Sequence, residues 1–376
     1  MTFRFIHSSD LHIGRKFSNI PQPADGNIRG RLMEARHSAI GRLATAARNN
    51  GAAHVLLAGD TFDTATPSPP VIRQALAAMV EASDVTWWLL PGNHDNLRDA
   101  EPLWETICRE IPKNVVALTD AVPHDFGDVA TLLPCPIAFR SSATDPSEPL
   151  VTMASDEGRI RIGLAHGGVT DFTDAGDTIA PDRDQSARLD YLALGDWHGR
   201  LVVSDRVHYS GSPEQDRFKH GRRGVCLSIE LEGSGALPRV KEIETGEFLW
   251  TEVPLSLHPR QDADAALIDV LPKSGRRDIM MKVQATGWAR LPDRTDLELA
   301  AESVAPEFAH FELMTDALGT QYDAADLDEI DRAGALRLAA NMLKDDAEAD
   351  NLTHEDREVA ADALARLYAY VREGSK

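Results

Sequence analysis

Residues 55–63 of this 376-residue chain read VLLAGDTFD, an apolar run that leads directly into a glycine and two carboxylates. The same order recurs in residues 5–12 (FIHSSDLH), 87–95 (WWLLPGNHD), 160–168 (IRIGLAHGG) and 191–198 (YLALGDWH). Apolar runs of about four to eight residues that end at turn signals are typical of buried strands. Each stretch is therefore predicted to be a strand whose carboxyl end carries polar side chains.

Strands and helices alternate through the first part of the chain. Helical patterns cover residues 30–49 and 71–82, and later segments such as residues 202–209 read as single strands. Alternation of strands with helices, followed by a run of strands, predicts an α/β (α+β) sandwich of two sheets flanked by helices.

Three domains are expected from the changes in composition along the chain. The two-sheet core is assigned to residues 1–255, a small α/β capping domain to residues 256–320, and a helical region to residues 321–376. Within the helical region, Thr353 and Asp356 have the spacing of a capping pair that opens a helix.

The polar side chains at the strand ends form one candidate set of metal ligands. In open α/β sheets the carboxyl ends of the strands face one crevice, so residues far apart in sequence can meet there. Carboxylates and imidazoles suit Mn²⁺, Fe²⁺, Zn²⁺ or Mg²⁺. Two ions that share a carboxylate, about 4 Å apart, explain the number of candidates better than one ion does, and such a pair can clamp a phosphate during in-line attack. The candidate ligands are Asp10, His12, Asp60, Asn93, His166, Asp196 and His198, with His94 as a spare histidine.

Composition and cysteine usage bound the class of protein. A hydrophobic fraction of 43% and a charged fraction of 26% are those of a soluble globular protein. Cys108, Cys135 and Cys226 are odd in number and form no C-x-x-C pair, which favours a reducing compartment over a structural zinc site. Because no leader precedes the first strand and no apolar run could span a bilayer, we expect a cytoplasmic protein with no membrane partner.

The net charge of −21 is unusual for a protein that binds nucleic acid, because phosphate contacts favour a basic surface. Its distribution weakens that objection. Residues 1–240 carry 24 Lys and Arg against 31 Asp and Glu, whereas residues 241–376 carry 15 against 29. The bulk charge therefore does not exclude a DNA or RNA substrate.

The motifs at the strand ends resemble those of the calcineurin-like metallophosphoesterase superfamily. They are Asp10-x-His12, Gly59-Asp60-x-x-Asp63, Gly92-Asn93-His94-Asp95, His166 and Asp196-x-His198. The opening DLHIG at residues 10–14, the segment YSGSP at residues 209–213 and the layout of the domains are similar to the SbcD branch, the nuclease subunit of DNA double-strand-break repair complexes. The motif resemblance covers residues 1 to about 230, and the tail matches only in layout.

The resemblance implies a role for each site residue. It places Asp10, His12 and His198 on a first metal ion, Asp60 between the two ions, and Asn93, His166 and Asp196 on a second. His94 is the implied catalytic residue, which approaches the scissile phosphate and protonates or stabilises the leaving oxygen. Asp95, grouped with His94 as catalytic, is expected like Asp63 to act by orienting its neighbours.

Asp196 departs from the family pattern, which has Gly-His-x-His where this chain has Gly-Asp-Trp-His. A carboxylate can ligate a hard divalent ion, so the leading interpretation keeps the second site and makes it more anionic. The competing interpretation is a weakened or empty second site.

DNA is the expected substrate, hydrolysed as an exonuclease or endonuclease with two divalent ions, of which Mn²⁺ is preferred. Arg15, Lys16, Arg217 and Lys219 follow two of the loops and are candidates for contacts with backbone phosphates; the alternative for each is a solvated basic face. The resemblance also implies an SMC-like coiled-coil ATPase partner (SbcC type) bound by the helical region, and a homodimer. The alternative for the helices is packing on their own domain.

Two other classes of function stay open. One is a phosphodiesterase or phosphatase for small molecules, against which the cap and the tail argue. The other is a weakly active scaffold subunit on a phosphoesterase fold, which the retention of nearly all ligands disfavours and Asp196 favours.

Overall fold

The computed structural model describes residues 2–23, 26–141, 144–169, 178–259, 261–321, 326–327, 330 and 334–374. The chain divides into two compact units, one formed by residues 1–216 and 222–249 and the other by residues 217–221 and 250–376. The domain limits at 255/256 and 320/321 stay predictions.

In the part of the chain that the structure describes, the first unit contains two six-stranded sheets. Its strands are β1 (Phe3–Ser8), β2 (His54–Leu57), β3 (Thr86–Leu89), β4 (Val115–Ala117), β5 (His124–Phe126), β6 (Ala130–Cys135), β7 (Ile160–His166), β8 (Tyr191–Gly195), β9 (Leu201–Val202), β10 (Val207–Tyr209), β11 (Val225–Leu231) and β12 (Arg239–Glu244). Its helices are α1 (Ile28–Asn49), α2 (Pro69–Glu81), α3 (Glu101–Glu110) and α4 (Arg183–Ser186).

Parallel strands form the centre of each sheet. The first sheet has the order β12-β11-β1-β2-β3-β4, with β1 to β4 parallel and β11 and β12 antiparallel at one edge. The second has the order β5-β6-β7-β8-β10-β9, with β6, β7, β8 and β10 parallel. The carboxyl ends of β1, β2 and β3 therefore lie side by side, as do those of β7 and β8.

Apolar side chains hold the two sheets face to face. Phe5, Leu56 and Trp88 of the first sheet belong to one buried cluster with Ile162 and Tyr191 of the second. A separate cluster packs α1, α2 and α3 against the other face of the first sheet. The predicted α/β architecture of two sheets flanked by helices is confirmed.

His7 ties the first sheet to the second by hydrogen bonds. Its Nε2 lies 3.2 Å from the carbonyl oxygen of Leu194, and its Nδ1 lies 3.0 Å from the hydroxyl of Tyr191. Because a carbonyl only accepts, Nε2 carries the proton and Nδ1 accepts from Tyr191. Burial, reinforced by His208 and Arg200, lowers the pKa of His7 to about 3, so this ring is neutral.

Residues 202–209 differ from the prediction of one long strand. They form the end of β9, a turn and β10. The turn arises because the Ser204 hydroxyl accepts hydrogen bonds from the backbone N–H groups of Arg206 and Val207, at 3.2 and 3.1 Å. Serine side chains that bond to nearby backbone in this way compete with the strand ladder.

The second unit is a small sheet covered by helices. Its strands, in the order β13-β14-β15, are β13 (Leu249–Leu257), β14 (Ile279–Arg290) and β15 (His310–Gln321). Its helices are α5 (Ala263–Val270), α6 (Leu291–Val304), α7 (Ala335–Ala347) and α8 (His354–Gly374). The strands β14 and β15 are parallel, with α6 as the crossover that a parallel connection requires.

Helices α6, α7 and α8 of the second unit share one buried cluster, which includes Leu291, Ala340, Leu364 and Tyr368. The helix start predicted at Thr353 is confirmed, because the Thr353 hydroxyl accepts a hydrogen bond of 3.1 Å from the N–H of Asp356. Parts of the predicted helical region, residues 322–325, 328–329, 331–333 and 375–376, lie outside the described residues. Among the helices that the structure describes, none is long and apolar enough to cross a bilayer.

The Tyr191 hydroxyl provides a test of the link between the sheets. In Tyr191→Phe the buried Nδ1 of His7 loses its donor, so we expect the free energy of unfolding to fall by about 1–3 kcal/mol. Urea denaturation measures the change. Tyr370→Phe is the matched control, because Tyr370 is 71% exposed and its substitution should change stability by less than about 0.5 kcal/mol. Equal decreases in the free energy of unfolding in Tyr191→Phe and Tyr370→Phe would show that the Tyr191 hydroxyl does not stabilise the link between the sheets.

Candidate metal centre

Five strand ends bring the predicted ligands together. Asp10 and His12 follow β1, Asp60 follows β2, and Asn93 and His94 follow β3 in the first sheet. His166 is the last residue of β7, and Asp196 and His198 follow β8 in the second sheet. The site thus draws on the central parallel strands of both sheets.

Four of these residues adopt a backbone conformation that L-residues rarely use. The φ angles of Asp10, His12, Asp60 and Asp196 are 55°, 44°, 54° and 102°. Left-handed conformations cost roughly 1–2 kcal/mol per residue. Backbone hydrogen bonds hold two of these residues in this conformation. The N–H of Asp10 donates to the carbonyl of Gly59 at 3.1 Å, and the N–H of His12 donates to the carbonyl of Asp60 at 3.0 Å. Strain concentrated at one place is typical of a functional site.

The absence of a side chain at Gly92 makes room for Asp60. A Cβ atom at position 92 would lie 2.2 Å from Oδ1 of Asp60 and 2.4 Å from its backbone nitrogen. Both contacts are far inside van der Waals distance, so the close approach of the two loops requires glycine here.

Asp10, His12 and His198 form one group of converging donors. Their ligand atoms all lie within 4.8 Å of one another, and all three side chains are buried. The Nε2 atoms of His12 and His198 are 3.1 Å apart, and Nε2 of His12 is 3.9 Å from Oδ1 of Asp10. Two imidazole nitrogens and a carboxylate oxygen at these separations fit the donor set of a divalent cation.

Asp60 lies between this group and a second one. Its Oδ2 is 3.6 Å from Nε2 of His12 and 3.6 Å from Nε2 of His166. Asp10, Asp60 and His166 form a further group whose ligand atoms lie within 4.8 Å of one another. A single carboxylate oxygen equidistant from two imidazoles has the position of a shared ligand.

Asn93 and Asp196 lie beside the second group, although among the described residues Asp196 belongs to none of the groups whose ligand atoms all lie within 4.8 Å of one another. Oδ1 of Asp196 is 3.9 Å from Nε2 of His166 and accepts a hydrogen bond of 3.2 Å from Nδ2 of Asn93. This bond uses the nitrogen end of the Asn93 amide. Within the described residues, the buried Oδ1 of Asn93 and Nε2 of His166 have no hydrogen-bond partner. Buried polar atoms normally have partners, so these two acceptors fit a cation.

The outer nitrogen of each imidazole ligand faces an oxygen atom. Nδ1 of His166 donates to the carbonyl of Ala58 at 2.8 Å, and Nδ1 of His198 lies 3.1 Å from Oδ1 of Asp216. Nδ1 of His12 lies 3.4 Å from Oδ1 of Asp63. Oxygen partners on Nδ1 keep the proton there and leave the Nε2 lone pair for a metal.

The protein alone does not balance the charges of this site. Burial raises the pKa of Asp60 well above its usual range, against the effect of His166. Burial lowers the pKa of His166, but the carboxylates of Asp60, Asp10 and Asp196 raise it to about 9. Burial thus disfavours the negative charge of Asp60, while the carboxylates around His166 favour a positive charge at that place, and a bound cation would satisfy both. The residues present therefore fit divalent metal ions.

His94 lies next to the candidate metal ligands, whereas Asp95 contacts the backbone of the loops that carry those ligands. Ligand atoms of His94, His12 and Asp60 lie within 4.8 Å of one another. The N–H of His94 donates to Oδ1 of Asp60 at 2.9 Å, and its Nδ1 donates to the carbonyl of Asp63 at 2.8 Å. The buried carboxylate of Asp95 instead accepts two backbone N–H groups, from Gly92 at 2.7 Å and from Phe62 at 3.0 Å. Asp95 thus fixes the two loops that carry Asp60 and Asn93.

Two residues near the site were not found by sequence reasoning. Asp216 is buried and contacts His198, as given above, while Nη2 of the buried Arg36 lies 3.2 Å from Oδ2 of Asp216. Arg36 also donates to the carbonyl of Leu11 at 2.6 Å. The only sequence signal for Asp216 is its place three residues after the YSGSP segment at 209–213.

The four candidates for nucleic-acid contacts lie in different surroundings. Arg15 is partly buried and contacts Asp63 and Asp216, at 3.5 and 3.2 Å. Lys16 is exposed in the same loop. Arg217 and Lys219 are exposed and belong to the second unit. Their contact with DNA stays a prediction.

Comparison with known families identifies the class of protein. Residues 3–226 match the family described as calcineurin-like phosphoesterase. This match covers more than half of the chain, and the chain belongs to this family of phosphoester hydrolases.

The proteins to which the chain is similar include a curated relative and a solved structure. The relative is the "Uncharacterized metallophosphoesterase YhaO" of Bacillus subtilis (strain 168), 27% identical over 242 residues. The matched part is 59% of this chain and 56% of the relative, so the chain spans little more than half of that protein's length. The structure is that of TT1561 of Thermus thermophilus, with 10% identity, a TM-score of 0.38, and coverage of 56% of this chain and 90% of that chain. The finer likeness to the SbcD branch stays a prediction.

The role of Asp196 is tested by counting bound metal ions. We expect the wild type to bind two equivalents of Mn²⁺. Asp196→Ala should bind the first equivalent with wild-type affinity and the second equivalent about 10–100-fold more weakly. Asp196→His should again bind both equivalents. Titration calorimetry with mass-spectrometric metal analysis measures both quantities. Asp205→Ala, an exposed aspartate in the same unit, is the control. Two undiminished equivalents in Asp196→Ala would remove Asp196 from the ligand set.

Proposed function

We propose that the chain is a two-metal phosphodiesterase that hydrolyses DNA. The observation that carries the two-metal part is the position of Oδ2 of Asp60, 3.6 Å from the metal-facing nitrogens of both His12 and His166. A carboxylate shared in this way is what a pair of ions needs to act on one phosphate. Membership of the calcineurin-like phosphoesterase family supports the reaction class.

The ions, when bound, would polarise the phosphodiester and activate a water molecule against phosphorus. The protein contributes geometry and a proton. His94 is fixed at two points, by its backbone N–H on Asp60 and by Nδ1 on the carbonyl of Asp63. Because Nδ1 carries its proton toward that carbonyl, Nε2 is the atom that can hold a second proton and give it to the leaving oxygen. Asp95 acts indirectly, by holding the loops.

Mn²⁺ is the metal that we propose, with Fe²⁺, Zn²⁺ or Mg²⁺ as the alternatives. The second group of donors offers oxygens from Asp60, Asn93 and Asp196 and a single nitrogen, from His166. A donor set rich in carboxylate and amide oxygen suits Mn²⁺ and Mg²⁺ better than softer ions.

The DNA substrate rests on the resemblance to the SbcD branch and on the local charge. The first fifty residues carry eight Arg and Lys against three Asp and Glu, and they include the exposed Lys16 in the loop that follows Asp10 and His12. Most of the other basic residues of this stretch lie on helix α1, so Lys16 is the exposed cation that supports a polyanionic substrate over a single phosphomonoester. Repair of DNA ends is the process in which a nuclease of this branch would act.

A substrate panel with His94→Gln tests this function. With Mn²⁺ we expect cleavage of blunt duplex and hairpin DNA to exceed hydrolysis of nitrophenyl phosphates. His94→Gln should lower kcat for DNA by about 10²–10⁴-fold and still bind two equivalents of Mn²⁺, because His94 is placed as a proton donor. His37→Gln, a substitution on helix α1, is the control. Faster hydrolysis of a small phosphodiester than of DNA would favour the small-molecule phosphodiesterase. Inactivity on every substrate would favour the scaffold subunit on a phosphoesterase fold.

We also propose an SMC-like coiled-coil ATPase as partner, bound by α7 and α8, and a homodimeric assembly. Leu338 and Met342 on α7 and Val359 and Tyr370 on α8 are each more than half exposed, while other apolar residues of both helices are buried in their own unit. Helices that keep large apolar side chains on the surface after packing are suited to a helical partner.

The partner surface is tested by charge insertion. Met342→Glu combined with Val359→Glu should abolish co-purification with the SMC-like ATPase from the same genome, because each places a charge in the apolar contact. DNA cleavage by the isolated subunit should be unchanged. Asn341→Glu, at an exposed polar position of α7, adds one charge as the control and should leave the complex intact. Co-purification of the double variant at wild-type yield would contradict the assignment.

A further inference from the structure

We infer that Arg15 and Asp216 are positioning residues for the first metal site, whose histidines are His12 and His198. Arg15 contacts the two carboxylates that face the outer nitrogens of these histidines. The inference rests on the proposed two-metal centre and concerns only how this chain holds His12 and His198. It assigns to Arg15 a role different from the phosphate contact that its sequence position predicts.

Asp216 controls the orientation of His198. Its carboxylate is completely buried, and Oδ1 lies 3.1 Å from Nδ1 of His198. A carboxylate at Nδ1 fixes the tautomer that leaves Nε2 to face Nε2 of His12, 3.1 Å away. Two guanidinium groups contact the Oδ2 of this carboxylate, that of Arg15 and that of Arg36, each at 3.2 Å. A carboxylate at the outer nitrogen of a ligating histidine makes the imidazole a stronger ligand.

Arg15 connects this carboxylate to the one behind His12. Its Nη1 lies 3.2 Å from Oδ2 of Asp216 and 3.5 Å from Oδ1 of Asp63. The same Oδ1 of Asp63 lies 3.4 Å from Nδ1 of His12. The contacts run without interruption from His12 through Asp63, Arg15 and Asp216 to His198. One guanidinium therefore contacts both of the carboxylates that face the histidines.

A second arginine contacts the same oxygen of Asp216. Nη2 of Arg36 lies 3.2 Å from Oδ2 of Asp216, and both guanidinium groups lie near the ring of Phe17, at 5.6 Å for Arg15 and 5.7 Å for Arg36. Arg36 is fully buried, whereas the side chain of Arg15 is 27% exposed. Substitution of Arg15 therefore leaves the buried ion pair with Arg36 in place, which makes Arg15 the accessible test of the network.

The two roles of Arg15 predict different measurements. A phosphate contact would change only the binding of DNA, as expected for its exposed neighbour Lys16. A positioning residue would change the affinity for metal in the absence of DNA, because removal of the residues that orient metal ligands typically costs about 10–100-fold in metal affinity.

The experiment titrates metal-free wild type, Arg15→Met, Arg15→Lys and Lys16→Met with MnCl₂ by calorimetry, without DNA. We expect Arg15→Met to weaken the tighter of the two equivalents by about 10–100-fold, Arg15→Lys to recover part of the loss, and Lys16→Met to bind like the wild type. At saturating Mn²⁺, Lys16→Met should raise KM for duplex DNA with kcat unchanged. Arg15→Met with wild-type metal affinity would overturn the inference.

A double-mutant cycle checks that Arg15 acts through Asp216. Asp216→Asn keeps an oxygen for His198 and removes the charge that Arg15 contacts, so Asp216→Asn with Arg15→Met should lose little more Mn²⁺ affinity than the worse single variant. Fully additive losses would overturn the connection. The titrations need no DNA, so failure of DNA cleavage alone would count against the proposed substrate and not against the network of Arg15 and Asp216. A wild type that binds no Mn²⁺ would overturn both the two-metal function and this network.

Discussion

A buried carboxylate shared by two imidazoles is the constraint on which the rest of the site depends. Asp60 is 2% exposed, adopts a left-handed conformation and lies equally far from His12 and His166. Burial of a charge is costly unless an opposite charge or a metal ion compensates it. The cost falls on one residue because strand ends of both sheets place metal-ligand side chains around it. The close approach of Gly92 and the hydrogen bond from the backbone N–H of His94 hold the carboxylate in place.

The parallel centres of the two sheets explain how so many polar groups can be buried together. Strand ends supply side chains, while the loops behind them supply backbone N–H and carbonyl groups that fix those side chains, as Gly92 and Phe62 fix Asp95. Nδ1 of His166 and Nδ1 of His198 are satisfied by Ala58 and Asp216. Nδ1 of His12 lies 3.4 Å from Asp63 but has no hydrogen-bond partner within the described residues. Buried polar networks are stable when their members are satisfied, so Oδ1 of Asn93 and Nε2 of His166, two acceptors without partners at the strand ends, fit a cation there.

The sequence predicts the strands and their polar ends well, because each apolar run stops abruptly at polar residues, and in residues 55–63, 87–95 and 191–198 a glycine or proline stands beside the ligand. Helix α3 was not predicted, since only Leu103, Trp104 and Ile107 of its ten residues are buried and its apolar periodicity is short. The turn within residues 202–209 depends on a single serine hydroxyl. Arg36 and Asp216 could not be found, because an ion pair between residues 180 positions apart leaves no periodic signal.

Asp196 shows how a departure from a family pattern can be accommodated by its surroundings. Its side chain is 32% exposed, so water can solvate a charge that would be costly deeper in the site. Its N–H donates to both carboxylate oxygens of Asp10 at 3.2 Å, a backbone interaction that does not depend on the side chain at this position. Its Oδ1 accepts from the nitrogen end of the Asn93 amide, which turns the amide oxygen to the other side, where a cation can take it as a ligand. A carboxylate at this position can therefore accept the hydrogen bond from Asn93, whereas an imidazole bound to a metal through one nitrogen could not accept it with the same atom.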